Sequence, residues 1–324
     1  MADIPVNANI HRVGGRDILA KDEPRFREYR RQWRENPEQG IVAPAPLFLD
    51  IEVTSACNLR CPFCATTYRG GKIKAGMMPA ALAYQVIDEA AAAGVYGCKF
   101  NYRGEPLLHP VLPSFVARAK RRGMIDVYFN TNAMLLTEEK ALALIEAGLD
   151  RISVSFEGIT KEFYERNRVG ADYDTVLRNV DGLQQAKRRL GVTYPALRVQ
   201  TVRLPGVDLD AYAKFWEGRV DEIAYLDYKE MKERRCGIAA DWACPQLWQR
   251  LCIWWDGTVV PCNHDDDAHL QLGNANHDRI VACWQQPRLQ EVRALHRQGM
   301  AHTVAGCDGC YLRDSEIGKL GAKG

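Results

Sequence analysis

The sequence predicts an α/β fold with a parallel sheet, on three observations. Six β-type runs alternate with helical runs between residues 47 and 228, the pattern of βαβ units rather than of separate sheets and bundles. The 324 residues are enough to bury a large core in one domain or one and a half. Ten of the eleven cysteines gather in two regions, one just after the first β-type run and one in the last third, while Cys98 stands alone; the clustering implies two metal sites on that frame.

Residues 1–46 read as a polar, irregular extension with one helix near Glu23 to Trp33, closed by Pro44-Ala45-Pro46. The strand candidates are 47–53, 98–102, 125–130, 151–156, 197–203 and 222–228. Helical stretches over 79–93, 112–122, 137–147 and 173–190 lie between them. The alanines of 90–93 end at Gly94, which suits a helix C-terminal glycine. Farther on, Asp256-Gly257 between two β-type runs signals a hairpin. The expected divisions are an extension (1–46), an α/β core (47–235), a small hairpin and helix domain (236–315) and a tail (316–324).

Composition narrows the class. A net charge of +2, with no long basic stripe, argues against a nucleic-acid surface. No apolar run approaches the ~20 residues needed to span a bilayer. The N-terminus lacks a basic segment followed by an apolar one, so no secretory signal is expected. The reading is a cytoplasmic protein whose thiols stay reduced.

The cysteines of Thr54-Ser55-Ala56-Cys57-Asn58-Leu59-Arg60-Cys61-Pro62-Phe63-Cys64 are spaced C-x3-C-x2-C. Three thiolates on one short loop can hold three irons of a [4Fe–4S] cube and leave the fourth without a protein ligand. Structural zinc would want a fourth N or S ligand, and only Cys61 and Cys64 form a C-x2-C pair. This stretch resembles the signature of the radical S-adenosylmethionine (radical SAM) superfamily. The resemblance implies an open partial (β/α)6 TIM-like barrel. It also implies that S-adenosyl-L-methionine chelates the free iron and is cleaved to a 5′-deoxyadenosyl radical.

Polar residues fall at the ends of successive strand candidates, where α/β barrels gather their active sites. Gly104-Glu105-Pro106 resembles the family's glycine–glutamate motif, which implies a backbone carbonyl or carboxylate for the cofactor's ammonium group. Arg103 would pair with the cofactor's carboxylate. The family's aromatic against the adenine corresponds to Phe63. Ser153, Ser155 and Glu157 alternate with apolar residues and would meet ribose hydroxyls. Asn130 and Asn132 would hold the ribose or a substrate hydroxyl. Each also has a plainer reading as a turn, core or capping residue.

Cys244 and Cys262 are separated by 17 residues, and Cys307-Asp308-Gly309-Cys310 adds a C-x2-C pair. Four thiolates from a hairpin and a distant tight loop can enclose a fully ligated [4Fe–4S] cube. The layout resembles the twitch domain, a shortened SPASM domain with one auxiliary cluster. A four-cysteine zinc site is the competing reading. His264-Asp265-Asp266-Asp267 reads as a solvated loop. Cys252, in the hairpin's first strand, is either a small buried hydrophobe or a hydrogen-atom donor. Cys98 and Cys236 are lesser candidates for that role.

The resemblance implies two [4Fe–4S] clusters, S-adenosyl-L-methionine, and a reducing partner such as flavodoxin or ferredoxin. The expected reaction is two-electron oxidation of a carbinol carbon, with the auxiliary cluster as electron acceptor. Its substrate would be a small molecule, a sugar or aminocyclitol, free or linked to a nucleotide or carrier. Epimerisation with Cys252 as donor, peptide modification, and a zinc-stapled binding protein are the alternatives. Asn101, Tyr102, Gln200, Arg203, Tyr228 and Glu230 would line the substrate pocket by strand phase.

Overall fold

All six β-type runs fold as strands. The computed structural model describes residues 10–69, 72–228 and 242–321, so Cys236 and Glu230 lie outside the described residues. The strands are β1 (Ile10–Gly15), β2 (Phe48–Ile51), β3 (Gly97–Lys99), β4 (Asp126–Thr131), β5 (Arg151–Ser155), β6 (Ala196–Val202), β7 (Glu222–Leu226), β8 (Arg250–Ile253), β9 (Thr258–Val260) and β10 (Gly273–Asn274). They form one ten-stranded sheet in the order β1-β7-β6-β5-β4-β3-β2-β8-β9-β10. Neighbours from β2 to β7 run parallel.

Strands at both edges extend this frame. The extension is not wholly irregular: β1 pairs antiparallel with β7. The expected hairpin forms, with Cys252 opposite Val260, but its first strand also pairs parallel with β2, Asp50 opposite Cys252. The C-terminal region therefore continues the core's sheet rather than standing apart from it.

Local chemistry sets the helices. Thr137, Thr160, Asp172 and Asp208 each accept a backbone N–H at a helix start, as capping residues do. The helix Ala80–Ala92 ends before Gly94, whose φ of +87° is left-handed.

Strand phase separates two environments. Leu49, Ile51, Cys98, Val127, Ile152, Val154, Leu197 and Val199 are buried in one large apolar core. The alternate positions carry Asp50, Lys99, Asp126, Arg151, Ser153, Arg198 and Arg250, all buried, and they turn to the opposite face. A second apolar cluster joins Phe26, Tyr29 and Trp33 of the helix Pro24–Gln39 to Phe48 and Tyr128. This helix closes the end of the barrel at which β2 begins. It is longer than the stretch expected near Glu23 to Trp33.

Candidate functional site

The first cysteine loop leaves β2 and is pinned on both sides. Ser55 N and Thr54 Oγ1 donate to the Gly76 carbonyl at 3.0 and 2.7 Å. Glu105 N donates to the Ala56 carbonyl at 2.8 Å, and Asn132 Nδ2 donates to Asn58 Oδ1 at 2.8 Å. Gly104 is needed for this docking. Its φ is +71°, and a Cβ there would lie 2.4 Å from the Thr54 carbonyl oxygen.

Burial pushes the Cys57 thiol up and the Cys61 thiol to about 11, and the neighbouring thiols of the loop push the same way. Buried thiols held together in this way ionise only beside a compensating positive charge. That donor set fits an iron–sulfur cube, whose irons supply the charge. Among the described residues no three His, Cys, Asp or Glu side chains close around a single-ion position.

The structure reassigns three of the strand-end residues. Arg103 does not reach for a cofactor carboxylate: its Nε and Nη2 donate to Glu52 at 2.6 and 2.9 Å, and its guanidinium lies 4.1 Å from the Trp254 ring. The Glu105 carboxylate accepts from Thr131 Oγ1 at 2.7 Å, Asn132 N at 2.8 Å and Leu107 N at 3.1 Å. It ties the end of β3 to the end of β4. Glu157 is held by Arg168, whose Nη2 donates at 2.7 Å and whose Nε bonds the other oxygen. A carboxylate with both oxygens so engaged is a poor acceptor for ribose.

Arg168 was not anticipated. Its Nη1 lies 3.8 Å from Cys61 Sγ and its guanidinium 5.5 Å from the Phe63 ring. It joins Glu157, the cysteine loop and the partly buried Phe63, although 107 residues separate it from Cys61. Ser153 is fully buried with no partner for its Oγ among the described residues, and the Gln200 Oε1 is likewise unpartnered. Ser155 is partly buried opposite Gln200. Asn130 is partly buried, and its backbone N–H donates to Asn101 Oδ1 at 2.9 Å.

The level below carries an unexpected charged cluster. Asp50 accepts from Lys99 Nζ and from Arg250 Nη1, both at 2.9 Å. Burial pushes the Asp50 carboxyl up, but the Lys99 and Arg250 charges outweigh it and hold it below its ordinary range. Cys252 Sγ lies 3.5 Å from Asp50 Oδ2. It is thus a fully buried thiol beside polar partners and not a simple apolar filler. Cys98 packs in the apolar core on the opposite face of the sheet, which removes it as a donor.

The thiols of the second cysteine set lie near enough for their charges to act on one another: Cys262 feels Cys307, Cys244 and Cys310. Cys244, Cys262, Cys307 and Cys310 are partly buried. Burial pushes Cys244 up to about 12 and raises Cys262 and Cys307, each further raised by charges of the other thiols. Four mutually repelling thiolates in one place again call for a cationic centre. The acidic loop beside them is ordered rather than solvated: Asp265 accepts from His269 N and Leu270 N. Asp266 accepts from Tyr102 Oη at 2.7 Å, and Arg69 pairs with Asp266 and Asp267. These contacts fasten the segment after the first cysteine loop to the C-terminal region.

Comparison with known proteins agrees with this frame. Residues 51–203 match the model of the radical SAM superfamily, and residues 244–311 match that of the SPASM iron–sulfur cluster-binding domain. The GTP 3′,8-cyclase of Chlorobaculum tepidum is 31% identical over 171 residues, 52% of this chain and 49% of that protein. The PqqA peptide cyclase of Gluconobacter oxydans is 37% identical over 123 residues, 37% of this chain and 33% of that protein. The matches thus span about half and a third of those relatives. Among solved structures, BtrN in complex with AdoMet and 2-DOIA superposes with a TM-score of 0.54 at 19% identity, covering 82% of this chain and 92% of that one. At that identity the likeness speaks for the fold alone. No helix among the described residues is long and apolar enough to cross a membrane.

Proposed function

We infer, from a chain that belongs to the radical SAM superfamily and carries a C-terminal SPASM domain, that it oxidises a carbinol carbon of a small polyhydroxylated molecule, a sugar or aminocyclitol. One observation carries this reading. The strand β2 leads into the first cysteine loop and pairs directly with β8, which leads into the hairpin of the second cysteine set. An electron acceptor at the second set would then sit on the same rigid sheet as the radical site.

When bound, S-adenosyl-L-methionine and a [4Fe–4S] cluster at Cys57, Cys61 and Cys64 supply a 5′-deoxyadenosyl radical, and a cluster at Cys244, Cys262, Cys307 and Cys310 supplies a one-electron acceptor. The substrate carbon gives up a hydrogen atom and an electron, and its hydroxyl gives up a proton. Ser153, Ser155 and Gln200 offer inward hydroxyl and amide groups for polyol hydroxyls. Arg168, Phe63 and the Gly104-Glu105 backbone form the cofactor's bed. We divide the chain as expected, with an extension over 1–46, the barrel over 47–235, the cluster domain over 236–315 and a tail over 316–324.

A second reading has its own observation. Burial keeps the Cys252 thiol protonated, its value raised well above the ordinary one, and S–H is the form that donates a hydrogen atom. That supports epimerisation. The relatives named above are cyclases of a nucleotide and of a peptide, so peptides and nucleotides belong in the same screen.

The test is anaerobic turnover with candidate sugars, aminocyclitols, nucleotides and peptides, read by mass spectrometry of deoxyadenosine and product. Oxidation gives a product two mass units lighter, with no solvent deuterium at the reacting carbon. An isomer of unchanged mass carrying one solvent deuterium, lost in Cys252→Ala while deoxyadenosine still forms, establishes the epimerase instead. Zinc in place of iron and sulfide in anaerobically purified protein would refute both.

A further inference from the structure

Two buried hydrogen-bond donors beside the second cysteine set have no acceptor among the described residues. Arg313 lies in the helix Tyr311–Gly321, three residues beyond Cys310. It is 1% exposed, and none of its three guanidinium nitrogens has a hydrogen-bond partner among the described residues. His296, 2% exposed, accepts from Cys244 N at 3.2 Å through Nδ1. A ring nitrogen that accepts leaves the proton on the other, so Nε2 carries the N–H, and it too has no partner among the described residues. The positive charge of Arg313 reaches both Cys307 and His296.

A guanidinium buried without hydrogen-bond acceptors is a costly state for a side chain. Such groups persist where a partner of opposite charge completes the site. Four thiolates and the sulfides of a cube supply both the acceptors and the negative charge. We propose that Arg313 and His296 donate hydrogen bonds to the sulfur atoms of the second cluster and set its reduction potential. The inference rests on the reading that Cys244, Cys262, Cys307 and Cys310 hold that cluster. One-electron reduction adds one negative charge to the cluster. A fixed cation with N–H groups aimed at the sulfurs stabilises the reduced form more than the oxidised one, which raises the potential. Arg313 is thereby a tuning residue, distinct from the ligands.

The test uses the full chain with Cys57, Cys61 and Cys64 changed to Ala, so that one cluster gives the signal. Anaerobic potentiometry followed by electron paramagnetic resonance reads its midpoint. Arg313→Gln and Arg313→Met should lower the midpoint so that the reduced-to-oxidised ratio at the parent midpoint falls at least tenfold, about 59 mV for a one-electron couple. Arg313→Lys should recover part of the shift, and His296→Asn should give a smaller one. An unchanged midpoint with about four irons per chain retained overturns the proposal. Should the Arg313 variants fail to fold, protein labelled with 15N-arginine and otherwise unaltered at Arg313 decides the matter. Pulsed resonance of the reduced cluster should show a weak 15N coupling, and its absence overturns the proposal. If the parent variant holds no iron–sulfur cluster at all, the ligand reading itself falls, and the tuning role with it.

Discussion

Asp50 is a residue whose loss the structure makes costly. It faces two buried cations, Lys99 and Arg250, each at 2.9 Å, and all three residues are at most 4% exposed. At an effective dielectric of ~20, each contact is worth roughly 6 kcal/mol of gross attraction. Desolvation cancels most of that, and deleting one partner of a buried pair costs about 3–5 kcal/mol net. Asp50→Asn keeps the shape and removes the charge. For a chain of this size a loss of that order lowers Tm by roughly 4–7 °C. Thermal unfolding of the anaerobic protein, followed by intrinsic tryptophan fluorescence, reads the change. Replacing Lys99 with Met in the Asp50→Asn background should restore part of the loss, because the buried Lys99 charge that Asp50 balanced is then gone. A Tm within about 2 °C of the wild type in Asp50→Asn, or a double variant worse than the single, would refute the charge argument. The pH dependence has a definite sign. The folded-state value of Asp50 is depressed, so its contribution is complete above the unfolded carboxyl value near ~3.9 and is lost as the pH falls through the lower folded one.

Other expectations follow from the same geometry. Gly104→Ala forces a side chain into left-handed backbone, at roughly 1–2 kcal/mol, and drives its Cβ onto the Thr54 carbonyl. Iron bound at the first cysteine set should fall, read as iron per chain against the wild type; unchanged iron and S-adenosyl-L-methionine binding would disprove the close-approach role. Arg168→Gln strands the buried Glu157 carboxylate at a cost of about 3–5 kcal/mol, and Glu157→Gln in the same chain should return most of it, measured as urea midpoints. Trp33→Ala empties the barrel's closed end, where Trp33 meets the Phe48 ring edge-on at 6.1 Å and the Arg250 guanidinium at 5.0 Å. A loss of about 3–5 kcal/mol is expected, and a loss under about 1 kcal/mol would mean that the helix Pro24–Gln39 does not plug the barrel.

Much of this molecule is visible in one dimension because its rules are local. Strand phase repeats every two residues, so the run from Leu47 to Val53 already marks its apolar positions, and it also shows Asp50 and Glu52 on the other face. That alternation of carboxylates within a buried strand was the signal that could have exposed the charged interior. Cysteine spacing is equally local, since a loop of eight residues fixes how three thiols can be arranged, and the hairpin at Asp256-Gly257 follows from turn chemistry alone.

Pairing across distance was different. Nothing in the residues around Arg250 says that β8 will lie beside β2, yet that adjacency brings Cys252 to Asp50. Arg103 and Glu157 looked like ligand-binding residues at strand ends, and only the folded chain supplied Glu52 and Arg168 to occupy them. The amino-acid order by itself determined which segments become strands, which faces are apolar and where thiols cluster, because those depend on neighbours a few bonds away. The tertiary structure decided which charges meet and which donors stay unsatisfied, because burial makes each buried charge seek a partner wherever the fold brings one.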